Sequence, residues 1–203
     1  MESSVQEGRQ SIREEVRRLC QDFPDPYWQD VDKHEKYPIE FVNALTSSGY
    51  LAALIPEEYG GAGLGITEAA IILEEINHCG GNSGACHAQM YTMGTLLRHG
   101  NPDQKKRYLP GIAKGELRLQ AFAVTEPNAG SETTRIETRA VRKGDKYIVN
   151  GQKIFISRAK QSDLMLLLAR TTPYEELKDK TQGLSVFVVD MREVKGNMDI
   201  QPL

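Results

Sequence analysis

The stretch AFAVTEPNAGS, Ala121 to Ser131, lies where the sequence changes its period. Before it, apolar residues recur at helical spacing. After it, short apolar runs alternate with turn signals. The stretch itself joins a strand, a Thr-Glu-Pro turn and an Ala-Gly-Ser bend. Small residues and proline in this order let a backbone approach a ligand closely. The amides, with the Thr125 hydroxyl, suit a planar polar heterocycle. The same residues read equally well as a tight turn with no ligand.

Upstream, Val5, Ile12, Val16 and Leu19 share one face of a helix from about Ser4 to Phe23. Pro24 and Pro26 stop it. A second helix fits Pro38 to Ser48, with Gly49 just past its end. The loop IPEEYGGAGLG follows at 55–65. Thr67 is the expected cap of a helix through Ile71, Ile72 and Ile76, ended by Gly80 and Gly81. Ser83 caps another, which runs to Arg98 and stops at Gly100. Residues 101–109 form a last short helix closed by Pro110.

Downstream, Lys143-Gly144-Asp145 and Asn150-Gly151 are turns, the second a hairpin signal. Leu164 to Ala169 and Leu184 to Val189 are strands, and a further strand begins at Asp199-Ile200-Gln201-Pro202-Leu203. The predicted class is α+β, with an all-α helical domain at 1–118 and a β-barrel or sandwich-like domain at 119–203. With about six strands, that β domain is incomplete, and the chain is expected to be a fragment of a longer protein.

Hydrophobic residues make up 39% of the 203 and charged residues 26%, which excludes a disordered chain and supplies a core. The 25 basic and 28 acidic residues give a net charge of −3, against the basic excess of a nucleic-acid binder. No apolar run approaches the ~20 residues of a membrane span. The N-terminus has no basic region followed by an apolar one. Three cysteines, Cys20, Cys79 and Cys86, fit a reducing compartment better than a disulfide framework. An intracellular, cytoplasmic protein is expected.

A second informative stretch is NGQKIFIS, 150–157. Read as a hairpin turn feeding a strand, it places Phe155 and Ser157 on one face. An aromatic beside a hydroxyl can flank a flavin edge, although such a stretch is most often only a strand. The glycine loop at 60–65 lacks the strand before it that a phosphate cradle needs, so it reads as a link between helices. His78-Cys79 and Cys86-His87 match no zinc-finger spacing and read as packing, so no metal site is expected. Arg13, Glu14, Glu15, Arg17 and Arg18 read as a solvated helix face.

Together the ordered elements IPEEYGGAGLG (55–65), GNPDQKKRYLPGIAKGE (100–116), AFAVTEPNAGSE (121–132) and NGQKIFIS (150–157) resemble the acyl-CoA dehydrogenase family. The resemblance covers nearly the whole chain. It implies a helical N-terminal domain, a β middle domain and, beyond this chain, a C-terminal four-helix bundle. It also implies FAD as cofactor and α,β-dehydrogenation of an acyl-CoA thioester to a trans-2-enoyl-CoA. An electron-transferring flavoprotein is the implied acceptor, and a homo-oligomer the implied assembly of the full-length protein. In a eukaryote the compartment would be the mitochondrial matrix.

The resemblance assigns Phe122, Val124, Thr125, Gly130, Ser131, Phe155, Ile156 and Ser157 to the flavin. Ser131 is also assigned to the pantetheine arm, and Gln89, Met90 and Met93 to the acyl pocket. No catalytic residue is assigned. The family's glutamate base belongs to the C-terminal bundle, and Glu126 reads as a structural carboxylate accepting backbone amides. Turnover by these residues alone is expected to be slight or nil. Glu132, Arg135 and Arg158 depart from the family pattern. The alternatives are an acyl-CoA oxidase or flavin monooxygenase of the same fold, and a non-catalytic module that binds an acyl-CoA or a partner.

Overall fold

The structure, a computed structural model, describes residues 2–194 and 196–202. It divides into two compact units, Met1–Arg118 and Leu119–Leu203. The first is helical and the second is built on a mixed sheet.

The helical unit contains α1 (Glu2–Gln21), α2 (Asp25–Lys33), α3 (Ile39–Ser47), α4 (Ile66–His78), α5 (Gly84–His99) and α6 (Pro102–Ala113). Its core gathers Val16 from α1, Phe41, Val42 and Leu45 from α3, Ile72 and Ile76 from α4, and Cys86 and Met90 from α5. Helix α2 departs from expectation. Pro24 and Pro26 were expected only to end α1, yet Pro24 caps α2 and Pro26 sits in its first turn, where no amide donor is needed. The helix is held by aromatic edges: Trp28 meets Phe41 at 4.8 Å and Tyr27 at 5.1 Å, and its indole donates to the Phe23 carbonyl at 2.9 Å.

Three helix ends are also corrected. Helix α4 is capped at Gly65, not Thr67; the Glu68 carboxylate turns back to accept the Gly65 amide at 3.1 Å. Ser83 makes no side-chain cap; Asn82 Oδ1 accepts the Gly84 amide at 2.8 Å instead. Helix α6 does not stop at Pro110 but carries it inside, because Leu109 and Ile112 on either side are wholly buried and hold the last turn in place. At its start Asn101 and Gln104 exchange side-chain bonds of 2.8 and 2.9 Å.

Of the stretch expected as a solvated helix face, Glu14, Glu15 and Arg18 are exposed, whereas Arg13 and Arg17 are engaged by acids of α4. Arg9 bonds Glu68 at 2.8 Å, Arg13 binds Glu75 and lies 2.8 Å from Glu74, and Arg17 reaches Glu75 at 2.6 and 3.2 Å. Glu75 is only 2% exposed. Partner numbers rise together along both helices, so α1 and α4 run parallel.

The second unit contains β1 (Leu119–Ala123), β2 (Arg139–Lys143), β3 (Lys146–Asn150), β4 (Leu164–Arg170) and β5 (Leu184–Asp190). They form one five-stranded mixed sheet. Strand β4 is central: β5 runs antiparallel along its full length, from Leu164↔Asp190 to Arg170↔Leu184. On its other edge β1 runs parallel through Phe122↔Leu166, and β2 joins at Arg139↔Arg170. Gly144, at φ +64°, closes the β2–β3 hairpin as expected. Residues 199–202 form no strand, and Leu203 lies outside the described residues. Among the described residues no helix is long and apolar enough to cross a membrane.

Glu75 supplies a test. The hydrogen bond from Arg17 outweighs the cost of burial and, with Arg13, holds its carboxyl below the usual carboxylate range. Its folded value therefore lies below the unfolded one of about 4.3. The stabilisation is complete above that value and fades as pH falls through the folded one. Glu75→Ala should lower the unfolding free energy by roughly 2 kcal/mol at neutral pH. Urea titrations should show the gap narrowing as pH falls below the unfolded value; a gap unchanged at low pH would rule out the ion pair as its cause.

Candidate functional site

The site grows from the end of β1. Ala121 and Ala123 face the sheet core with Ala140, Met165, Leu167, Ala169 and Met191. The alternation of a strand turns Phe122 the other way, 37% exposed. Beyond Val124 and Thr125 the chain doubles back. The Glu126 amide donates to the Ala129 carbonyl at 2.9 Å, and the Ala129 amide returns a bond to Glu126 at 3.2 Å. Pro127 and Asn128 form the tip. Gly130 and Ser131 follow, both exposed, and a Cβ added to Gly130 would meet nothing within 4 Å.

The NGQKIFIS stretch crosses this turn. The Ile154 amide donates to the Thr125 carbonyl at 2.9 Å. Lys153 Nζ donates to the Val124 carbonyl and to Glu126 Oε1, each at 2.8 Å. Glu126 also accepts the Glu137 amide at 2.7 Å and the Thr138 amide at 2.9 Å. One carboxylate thus ties the turn, the approach to β2 and the crossing segment together. The side chains of Lys153 and Glu126 are only 9% and 5% exposed. Burial disfavours the charged Glu126, but the bonds from Lys153 and from the Thr138 and Glu137 amides prevail and hold its carboxyl below the usual range. Burial draws the Lys153 ammonium below its usual value, and Glu126 opposes that shift.

Two expectations for this stretch are corrected. Asn150-Gly151 closes no hairpin, and 151–157 is not a strand. Gly151 is required for close approach: a Cβ there would sit 2.3 Å from Thr138 Oγ1 and 2.6 Å from its Cα. Phe155 has φ +58°, in the left-handed region, and its residue is 70% exposed. Ile156 turns inward against the sheet core, and Ser157 is exposed. Phe155 and Ser157 therefore both meet solvent, though not as alternate residues of a strand. Ser162 pins the following loop by accepting the Gln120 amide at 3.2 Å and donating to the Arg158 carbonyl at 2.9 Å.

The Thr125, Ser131 and Ser157 hydroxyls take no partner among the described residues. With an exposed aromatic ring and the open space at Gly130, they fit a flat heterocycle rich in hydrogen-bonding groups. No group of three or more His, Cys, Asp or Glu among the described residues is placed to hold a metal ion.

In the helical unit, Gln89, Met90 and Met93 lie on the buried side of α5, at 0%, 5% and 0% exposure. Gln89 Nε2 donates to the Leu51 carbonyl at 3.2 Å, and its buried Oε1 has no partner among the described residues. Glu132 is exposed, 3.4 Å from Lys180 and 3.9 Å from Arg135.

Sequence reasoning missed Lys153, because a lysine beside a presumed turn carries no signal of burial. It also missed Arg170, which is 6% exposed and donates to the carbonyls of Ile136 at 3.0 Å and Thr134 at 2.6 Å. Its position at the end of an apolar strand was the available clue.

Lys153→Met would leave Glu126 charged and short of its cation, at a cost of roughly 3 kcal/mol. The double variant Lys153→Met/Glu126→Leu should lose less than the sum of the two single changes in a denaturant series. Strict additivity would show that the two groups do not act as a pair.

Residues 6–116 match the acyl-CoA dehydrogenase N-terminal domain, and residues 121–203 match the acyl-CoA dehydrogenase middle domain. Cyclohex-1-ene-1-carbonyl-CoA dehydrogenase of Syntrophus aciditrophicus is 36% identical over 93% of this chain and 45% of its own. The crystal structure of acyl-CoA dehydrogenase from Geobacillus kaustophilus superposes with a TM-score of 0.83 at 32% identity, covering 91% of this chain and 48% of that one. The FAD complex of PigA gives a TM-score of 0.79 at 27% identity, covering 90% and 48%. The chain thus spans about half the length of these relatives. Its two matched domains, in order and over nearly all its residues, place the chain in the acyl-CoA dehydrogenase family.

Proposed function

We propose that these residues form the flavin-holding part of an FAD-dependent enzyme that converts an acyl-CoA thioester to its trans-2-enoyl-CoA. The observation that carries the reading is the clasp between the two stretches, Ile154 to Thr125 and Lys153 to Glu126. It holds an exposed aromatic and three unengaged hydroxyls on segments bonded to one another. Bound FAD would supply the acceptor for the two electrons released as the Cα–Cβ bond is desaturated.

The protein's part is placement. Phe122, Val124 and Thr125 present one edge to the cofactor, with the Thr125 hydroxyl as a hydrogen-bonding group. Gly130 admits close approach, and Ser131 serves cofactor and pantetheine arm. Phe155 shields a ring face from water, while Ile156 anchors it and Ser157 adds a second hydroxyl. Among Gln89, Met90 and Met93, Gln89 has the strongest case for substrate contact, because its Oε1 is buried without a partner among the described residues. The base that removes the α proton is assigned to a carboxylate outside these residues. An electron-transferring flavoprotein would accept the electrons, and the whole protein would assemble as a homo-oligomer in the cytoplasm or mitochondrial matrix.

Titrating FAD into the 203-residue chain should quench flavin fluorescence, and adding acyl-CoAs of several chain lengths should not bleach the flavin band rapidly. A folded chain that takes up no FAD would overturn the reading. Rapid bleaching would overturn the placement of the base. Thr125→Val should weaken FAD about tenfold, the worth of one hydrogen bond. The unfolding midpoint should stay put, because that hydroxyl has no partner to lose.

A further inference from the structure

The register of α1 on α4 has a chemical consequence. Arg9 and Glu68, 59 positions apart, form one rung of the parallel pair. Arg17 and Glu75, 58 apart, form another. These offsets bring Cys20, in the last turn of α1, level with His78 and Cys79 at the end of α4. Cys79 packs against the same buried cluster that contains Cys20. Both border one surface groove with Arg17, Pro24 and His78. Cys20 is 7% exposed and belongs to the core, whereas Cys79 is half-buried and reachable from the groove. The following Gly80, at φ +81°, gives the Cys79 backbone a flexible exit. The third cysteine, Cys86, is wholly buried in α5.

We propose that Cys20 and Cys79 are a reversible oxidation site, converted from a dithiol to an intramolecular disulfide by hydrogen peroxide. The order of events follows from accessibility. Burial first, and then Cys79, push the Cys20 thiol up to about 12, so it is not the attacking group. The Cys79 sulfur attacks the peroxide; the O–O bond breaks, a sulfenic acid forms and one water leaves. The Cys20 sulfur then displaces the hydroxyl from Cys79. The S–S bond forms and a second water leaves, carrying the Cys20 proton. The two thiols lose two electrons in all, and the peroxide gains them. Because both thiols belong to one chain and border one groove, the second step is intramolecular, which offsets the reluctance of Cys20 to ionise. In a reducing compartment such a bond is transient and serves as a sensor, not a staple. Once formed, it would fasten the C-terminal ends of α1 and α4 beside the Arg17–Glu75 pair.

The test uses the reduced 203-residue chain and hydrogen peroxide, followed by denaturation and alkylation with N-ethylmaleimide. The untreated chain, with three free cysteines, takes three adducts. Oxidation should lower the intact mass by about 2 Da and leave a single adduct on Cys86. Peptide mapping should join the Cys20 and Cys79 peptides, and dithiothreitol should restore all adducts. In Cys20→Ser, dimedone should label Cys79; in Cys79→Ser, Cys20 should stay unlabelled at the same peroxide dose. Retention of all adducts by the peroxide-treated chain, a bridge to Cys86, or a bridge between two chains would each overturn the proposal. So would dimedone labelling of Cys20 in Cys79→Ser as fast as that of Cys79 in Cys20→Ser.

Discussion

A carboxylate taken out of water must be given partners or it will take up a proton. Glu126 is given three donors: two amides, from Glu137 and Thr138, and the Lys153 ammonium, which also donates to Val124. Each donor comes from a different stretch of chain than the turn that holds the carboxylate, or reaches back to it. Satisfying one acid therefore fixes where β2 begins, where the segment after β3 crosses, and how far the Thr-Glu-Pro turn stands off the sheet. The turn's own bonds, Glu126 to Ala129 and back, make it a rigid body. The carboxylate decides where that body sits. A change at Lys153 would thus be felt at Thr125 and Phe155, neither of which the lysine needs to touch.

The helical unit solves the same problem differently. Glu75 is as buried as Glu126, yet its donors are two arginines that remain partly exposed, at 28% and 45%. Arginine can keep its stem on apolar surface and its charge near water, so the desolvation cost falls mainly on the acid. Buried ion pairs of this kind add modest stability and strong positional preference. In α1 the preference is a register: Arg9, Arg13 and Arg17 meet Glu68, Glu74 and Glu75 in order along the two helices. That register, rather than any attraction between thiols, brings Cys20 and Cys79 to one groove.

The division into helical and strand-rich units was legible because hydrophobic periodicity records which faces are buried. Val16, Ile72 and Ile76 announced their helices, and Gly144 its hairpin. What escaped were residues whose type has two physical uses. Pro26 ends a helix or begins one, depending on whether its missing amide falls within the chain of hydrogen bonds or before it. Gly151 supplies a turn conformation or merely the absence of a Cβ, and here the neighbouring Thr138 demanded the second. Lys153 and Arg13 are surface residues by composition, and only the position of a distant acid draws the first into the interior and pairs the second with a buried partner. Such pairings span 27 and 62 residues, beyond any local pattern. Of the candidate site, the Thr-Glu-Pro turn was legible as a motif; the lysine that positions it was not.

Phe155 shows what remains once packing has been accounted for. A bulky residue at positive φ is strained by about 1 kcal/mol or more, and a ring left 70% exposed recovers little of that cost from the core. Its neighbours explain how the strain is imposed. Ile154 is tied to Thr125 on one side, and Ile156 is buried against the sheet on the other. The single residue between them must reverse the direction in which side chains point, and glycine or asparagine would do so at less cost. Stability therefore gives no reason for an aromatic at this position. A flat partner lying against the ring does, since it would bury the exposed face that the backbone turns outward.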